Sequence, residues 1–173
     1  MDLREALSRE HSKANTDAIA RWIGSEPERF AELVDCLLSG DYRLVQRSAW
    51  VVSTVGCARP WLVVPHLDRL VHALEKPLHP AVQRNVLKLL AETELPLSED
   101  AEGELVAHAF DLLEAPKAPV AIKVHAMQLL ANACRRYPDL SVELRETIQA
   151  QLPEASAGFR SRARKILRQF DGT

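Results

Sequence analysis

Hydrophobic and polar positions along this chain repeat one helical pattern four times. It runs VQRSAWVV from Val45, VQRNVLKLL from Val82, IKVHAMQLL from Ile122 and FRSRARKIL from Phe159, spaced by 37, 40 and 37 residues. At 100° per residue, Val45, Ala49 and Val52 fall on one helix face, as do Val82, Val86 and Leu89, then Ile122, Ala126 and Leu129, then Phe159, Ala163 and Ile166. Each set predicts a buried seam whose first position is bulky and whose middle is small or β-branched, so that another helix can pack closely. A period of this length without strand signals marks stacked helical hairpins, each with a first helix A and a second helix B that carries the pattern.

Pro and Gly punctuate the pattern where hairpin ends should fall, because Pro suits a first helical turn and Gly the position just past a last one. Gly24, Ser25 and Pro27 separate an opening helical stretch of about 2–24, broken near Ser12, from a helix over about 27–39. Ser25 and Glu28 have capping-box spacing. Pro60, Pro77, Pro80, Pro96, Pro116, Pro119, Pro138 and Pro153 each fall at an expected turn, whereas Pro65 falls inside a helix over about 60–75 and should kink or delay it. One domain over residues 1–173 is expected: N-terminal capping helices over 1–25, then hairpins over 26–59, 60–96, 97–137 and 138–170.

These residues resemble HEAT repeats, the armadillo-like family whose second helix opens with a valine followed by basic or polar and then small apolar positions. The resemblance covers about residues 26–170. Asp41, six residues before Arg47, keeps the spacing of the Asp–Arg ladder found in many HEAT repeats, while Leu78 before Arg84 and Lys117 before Lys123 do not. The resemblance implies an all-α, right-handed α-α superhelix of about four to five hairpins, a HEAT-like solenoid that binds partners rather than transforming substrates. In such stacks the B helices line the concave surface.

Composition agrees with a helical stack, since aromatic residues make up only 5% of the 173 residues and Leu, Ala and Val dominate. No apolar run approaches the roughly 20 residues of a membrane span, and the charged start MDLREALSREHSK carries no targeting pattern, so a cytoplasmic protein is expected. Cys36, Cys57 and Cys134 are odd in number and scattered through apolar helices, which reads as reduced core thiols.

Charge changes the picture more. The net charge is only −2, yet the B segments 41–57, 79–92, 118–137 and 155–170 hold twelve Lys and Arg against Asp41 and Glu92. The A segments 26–38, 60–76, 97–117 and 138–154 sum to −11. Arg47, Arg84, Lys88, Lys123, Arg160, Lys165 and Arg168 point away from the seams by helical-wheel arithmetic and would form a basic strip over four repeats. One reading makes the strip a receptor for an acidic or mixed protein surface. The other makes it a solvated face neutralised by A-helix carboxylates. Nucleic acid on the same strip is the alternative partner, but the strip lacks interleaved aromatics and the pI is 6.3, where nucleic-acid binders commonly exceed about 9. The terminal helix, with Arg160, Arg162, Arg164, Lys165 and Arg168 beside an apolar stripe, reads as the polar-faced cap of the stack or as an anion- or membrane-surface helix.

Candidate chemistry is sparse. His66 and His72 are six apart, where a helical two-His metal site wants four. His125 falls beside a seam, in the column of Ser48, Asn85 and Arg162, and Trp50 shares a column with Leu87 and Met127 that predicts core. Trp50, Arg47 and Arg84 match features of HEAT-like alkylpurine DNA glycosylases, but those enzymes hold a carboxylate among the concave helices, and the B segments here offer only Asp41 and Glu92. A non-catalytic scaffold without cofactor, metal or small-molecule substrate is the expectation.

Overall fold

The computed structural model describes residues 1–38, 42–75 and 79–171, which form ten α-helices, two short 3-10 segments and no strand. The chain divides into two compact units, Met1–Leu97 and Ser98–Thr173.

In the first unit the opening stretch is two helices. α1 (Leu3–Arg9) begins at Asp2, whose Oδ1 accepts from the Glu5 amide at 2.9 Å, and α2 (Lys13–Ile23) begins at Ser12, whose Oγ accepts from the Asn15 amide. Ser12 thus breaks the stretch by capping, as an N-cap side chain replaces the missing intrahelical acceptor. Gly24 ends α2 at φ 55°, a backbone geometry open mainly to glycine, and donates its N–H to the Ala20 carbonyl.

α3 (Pro27–Leu38) starts where expected, but the Ser25–Glu28 capping box does not form. The Phe30 amide already bonds the Glu26 carbonyl, so the helix begins one residue later than a Ser25 cap requires, and Ser25 Oγ instead accepts from Arg59 Nε at 3.3 Å. α4 (Tyr42–Ala58) carries the first repeat of the pattern. Pro65 delays the next helix: two 3-10 segments, Pro60–Leu62 and Val64–His66, precede α5 (Leu67–Leu74). α6 (Pro80–Glu92) opens on a proline at its first position, with His79 Nδ1 accepting from the Ala81 amide. α4 packs on α3 and α6, and α6 on α5. A Cβ on Gly56 of α4 would lie 2.7 Å from Leu89 and 2.9 Å from Val63, so only glycine permits that approach.

In the second unit α7 (Glu99–Glu114) is capped by Ser98 Oγ and packs on α8 (Val120–Ala133), while α9 (Leu140–Gln151) and α10 (Ala157–Asp171) complete a second hairpin, α10 lying on α8. Glu102 on the first turns of α7 is only 6% exposed; Arg136 holds it at 2.9 Å and the Tyr137 hydroxyl donates to it at 3.1 Å. A buried carboxylate is costly unless ionic and hydrogen-bond partners compensate it, and here the segment after α8 supplies both.

The twelve seam positions are at most 5% exposed, from Val45, Ala49 and Val52 on α4 to Phe159, Ala163 and Ile166 on α10. Ala126 is fully enclosed, so Ala126→Asp strands an unpaired carboxylate among helices. Its thermal unfolding by circular dichroism should show a loss of about 3–5 kcal/mol; an unchanged melting temperature would contradict the seam.

His66 follows Pro65 and lies against the Phe30 ring at 5.8 Å. Burial, and secondarily Arg69, lowers its pKa below 6.5. The unfolded chain therefore takes up the proton first as the pH falls through 6.5 toward the lower folded value, and stability declines across that window. His66→Gln should flatten this part of the stability–pH curve in urea titrations, whereas a curve identical to wild type would contradict the assignment.

Candidate interaction surfaces

Each unit presents its own cationic side chains. On α6, the seam Val82, Val86 and Leu89 fixes the rotation of the helix, and Arg84 and Lys88, one turn apart, fall on the opposite side. Arg84 is exposed and Lys88 half-buried, and neither makes a hydrogen bond or salt bridge among the described residues. On α10, Phe159, Ala163 and Ile166 face inward, so Arg160, Arg164 and Arg168 form a row at four-residue spacing on the outer face with Lys165 beside it. All four are exposed and without a hydrogen bond or salt bridge among the described residues.

Cations elsewhere are mostly engaged. Arg9 pairs with Glu5, Lys13 with Asp17, Arg69 with Asp35, Arg136 with Glu102 and Arg145 with Asp171. Arg29 donates to the Trp22 carbonyl and stacks over its ring, and Arg162 donates to Gln128 Oε1 at 2.6 Å. Arg4 and Lys117 are the other exposed cations for which no such partner is seen among the described residues.

Two members of the expected strip sit differently from the wheel expectation. Arg47 is half-buried and donates to the Leu7 carbonyl at 2.8 Å, in the last turn of α1, where carbonyls lack intrahelical partners. A cation there also complements the negative end of the helix. The wheel could not show this, because it treats α4 as having one neighbouring layer, whereas α1 and α2 both pack on it. The Asp41 end of the Asp41–Arg47 ladder lies outside the described residues.

Lys123 is half-buried in a cleft of about 740 Å³ among the ends of α7, α8, α9 and α10, where Glu114, Gln151, Glu154 and Phe159 also contribute walls. Its ammonium donates to Gln151 Oε1 at 2.7 Å, and Gln151 in turn donates to the Leu113 carbonyl at 3.0 Å. Burial lowers the Lys123 pKa below 10.5. The sequence signal that was missed is Gln151, an amide at the end of an A helix in reach of the lysine on the preceding B helix.

The remaining candidates resolve into packing roles. Trp50 is half-buried and tilted against His11 at 5.4 Å, so it covers the α1–α2 connection, while its column mates Leu87 and Met127 are fully buried. His72 meets Glu75 at 3.2 Å, and His125 is half-buried. Cys36 and Cys134 are buried free thiols. Cys57 is half-buried, and its thiol donates to Glu92 Oε2 at 3.6 Å; burial foremost, then Glu92, raises its pKa, which keeps it a neutral thiol rather than a nucleophilic thiolate. No group of three or more metal-ligating side chains occurs among the described residues. No described helix is long and apolar enough to cross a membrane.

Among protein families, the HEAT repeat domain matches residues 3–170. No curated protein and no solved structure gave a significant match.

Arg47→Met keeps the aliphatic stem but leaves the Leu7 carbonyl without its donor. It should cost about 1–3 kcal/mol in denaturant unfolding, against about 0.5 kcal/mol or less for Arg84→Gln at an exposed position. Equal effects of the two substitutions would place Arg47 on the free surface instead.

Proposed function

Given that the chain belongs to the HEAT repeat family, whose members commonly serve as protein-interaction scaffolds and are generally non-catalytic, we propose that it is an adaptor whose basic B-helix faces capture an acidic or mixed protein surface. The observation that carries this reading is selective pairing. Arg69, Arg136 and Arg145 meet carboxylates of other segments, whereas Arg84 and Lys88 on α6 and Arg160, Arg164, Lys165 and Arg168 on α10, on the faces opposite the seams, make no hydrogen bond or salt bridge among the described residues. A cation left without an internal carboxylate keeps its full electrostatic attraction for an external one, and rows of them accelerate encounter with an anionic partner.

Lys123 contributes to the same reading from its cleft, where a half-buried ammonium holds one protein acceptor and has two further donors to offer. Arg47 is engaged instead with the Leu7 carbonyl near the end of α1. An acidic protein segment suits these surfaces better than nucleic acid does. Neither basic face interleaves aromatic rings with its cations, and stacking on such rings is what single-stranded nucleic acid uses.

The test is fluorescence anisotropy of a labelled Glu-rich peptide, in parallel with labelled single- and double-stranded oligonucleotides, at low and near-physiological salt. Peptide binding that weakens with salt is expected, with Arg84→Glu/Lys88→Glu and Arg160→Glu/Arg168→Glu each reducing affinity by about tenfold or more while the melting temperature stays within a few degrees. Peptide binding unaffected by these reversals would contradict the reading. Oligonucleotide binding alone, with a log–log salt slope near −0.9 per phosphate contacted on a duplex, would replace it with a nucleic-acid function.

A further inference from the structure

The outer face of α10 presents one charge in a regular row. Arg160, Arg164 and Arg168 recur every four residues, about 6 Å apart along the axis. Ala157 and Ser161 lie between them and Lys165 on the helix surface, and all six side chains are exposed. A segment that fits it presents carboxylates at a similar helical spacing on an exposed face.

The chain itself carries such a segment. α7 bears Glu99, Asp100, Glu104, Asp111 and Glu114, all exposed, and contains no Lys or Arg. The buried positions Ala101, Leu105, Ala109 and Leu113 fix its rotation, so Asp100, Glu104 and Asp111 share its outer side, while Glu99 lies on the flank toward Tyr137 and Glu114 accepts from the Thr147 hydroxyl. Among the described residues Glu99, Asp100, Glu104 and Asp111 accept no side-chain hydrogen bond and form no salt bridge. The middle of that face is Gly103 and Ala107, both exposed. A Cβ on Gly103 would meet nothing within 4 Å, so no contact inside the chain requires glycine there, although glycine weakens a helix interior. A face that is low beside its carboxylates admits a basic helix at close range.

We propose that the acidic α7 face of one copy of this chain docks on the basic α10 face of another. The inference rests on the reading of α10 as a receptor for acidic protein surface and names one such surface. The two faces differ, so one α7–α10 contact leaves an α10 face and an α7 face still to be filled: they close on each other in a reciprocal two-fold dimer, or take further copies in a ring or open series. Exposed ion pairs dominate the contact, which makes it sensitive to ionic strength.

Sedimentation velocity of the full chain tests this. At about 25 mM salt the weight-average mass should climb with protein concentration above the 19.3 kDa of one chain, and at about 500 mM salt it should return to that value. Arg160→Glu/Arg164→Glu/Arg168→Glu and, separately, Glu104→Lys/Asp111→Lys should each weaken self-association by about tenfold or more. An equimolar mixture of the two variants should reassemble, because each then offers the face the other lacks. Gly103→Leu should abolish assembly while leaving the melting temperature unchanged or raised, a combination that misfolding does not produce. A wild-type chain that stays monomeric at low salt at every concentration overturns the proposal, as does assembly that survives both reversals. If that monomer still binds the Glu-rich peptide through α10, the adaptor reading stands without self-docking; if the peptide is not bound either, both fail.

Discussion

Close approach of the B helices to their neighbours is the constraint on which everything else in each unit depends. Ala49, Val86, Ala126 and Ala163 sit at the centres of the seams and are essentially inaccessible, and Gly56 lets Leu89 and Val63 approach α4 to a distance no side chain would allow. Burial of these faces supplies most of the favourable free energy, at about 25 cal/mol per Å² of apolar surface removed from water. It also fixes the rotation of each helix about its axis. Once a seam is buried, the residues half a turn away face outward unless a further element covers them, as α1 covers Arg47, which is why the positions of Arg84 on α6 and Arg164 on α10 follow from those of Val86 and Ala163.

Charge then divides according to what each helix meets. Where two elements come together, polar groups are compensated: Glu102 is held by Arg136 and Tyr137, Arg69 meets Asp35, and Arg47 closes the end of α1. Leaving such groups unpaired in a poorly solvated place would cost more than any single surface pair contributes. On the outer faces of α7 and α10 no such pressure operates, and there one sign dominates, with carboxylates alone on α7 and five cations against Asp171 on α10. A near-neutral total of −2 therefore conceals locally strong surfaces, the kind that selects partners by charge.

The repeat made most of the helical framework legible, because a 3.6-residue hydrophobic period and proline punctuation survive without any knowledge of neighbours. The twelve seam residues, the break at Ser12 and the delay at Pro65 all follow from local rules. What escaped was set by contacts distant in sequence. Ser25 lost its cap role because Glu26 began the helix and Arg59 took the hydroxyl. Arg47 turned inward because α1 brought Leu7 to it from 40 residues away, and Lys123 settled into a cleft because Gln151 faced it from the following A helix. Trp50 kept an exposed edge because its neighbour is His11 in a connection rather than a further repeat. Helical wheels report one helix at a time and cannot register a second layer.

The central claim is that the faces opposite the buried seams are the ones that receive a partner. Amide chemical-shift mapping of the isotope-labelled chain, titrated with the Glu-rich peptide, tests it residue by residue. The account predicts that perturbations concentrate around Arg84 and Lys88 on α6 and from Arg160 to Arg168 on α10, leaving the seam amides unmoved. Perturbations centred on α7 or α3, or spread evenly over the chain, would contradict it.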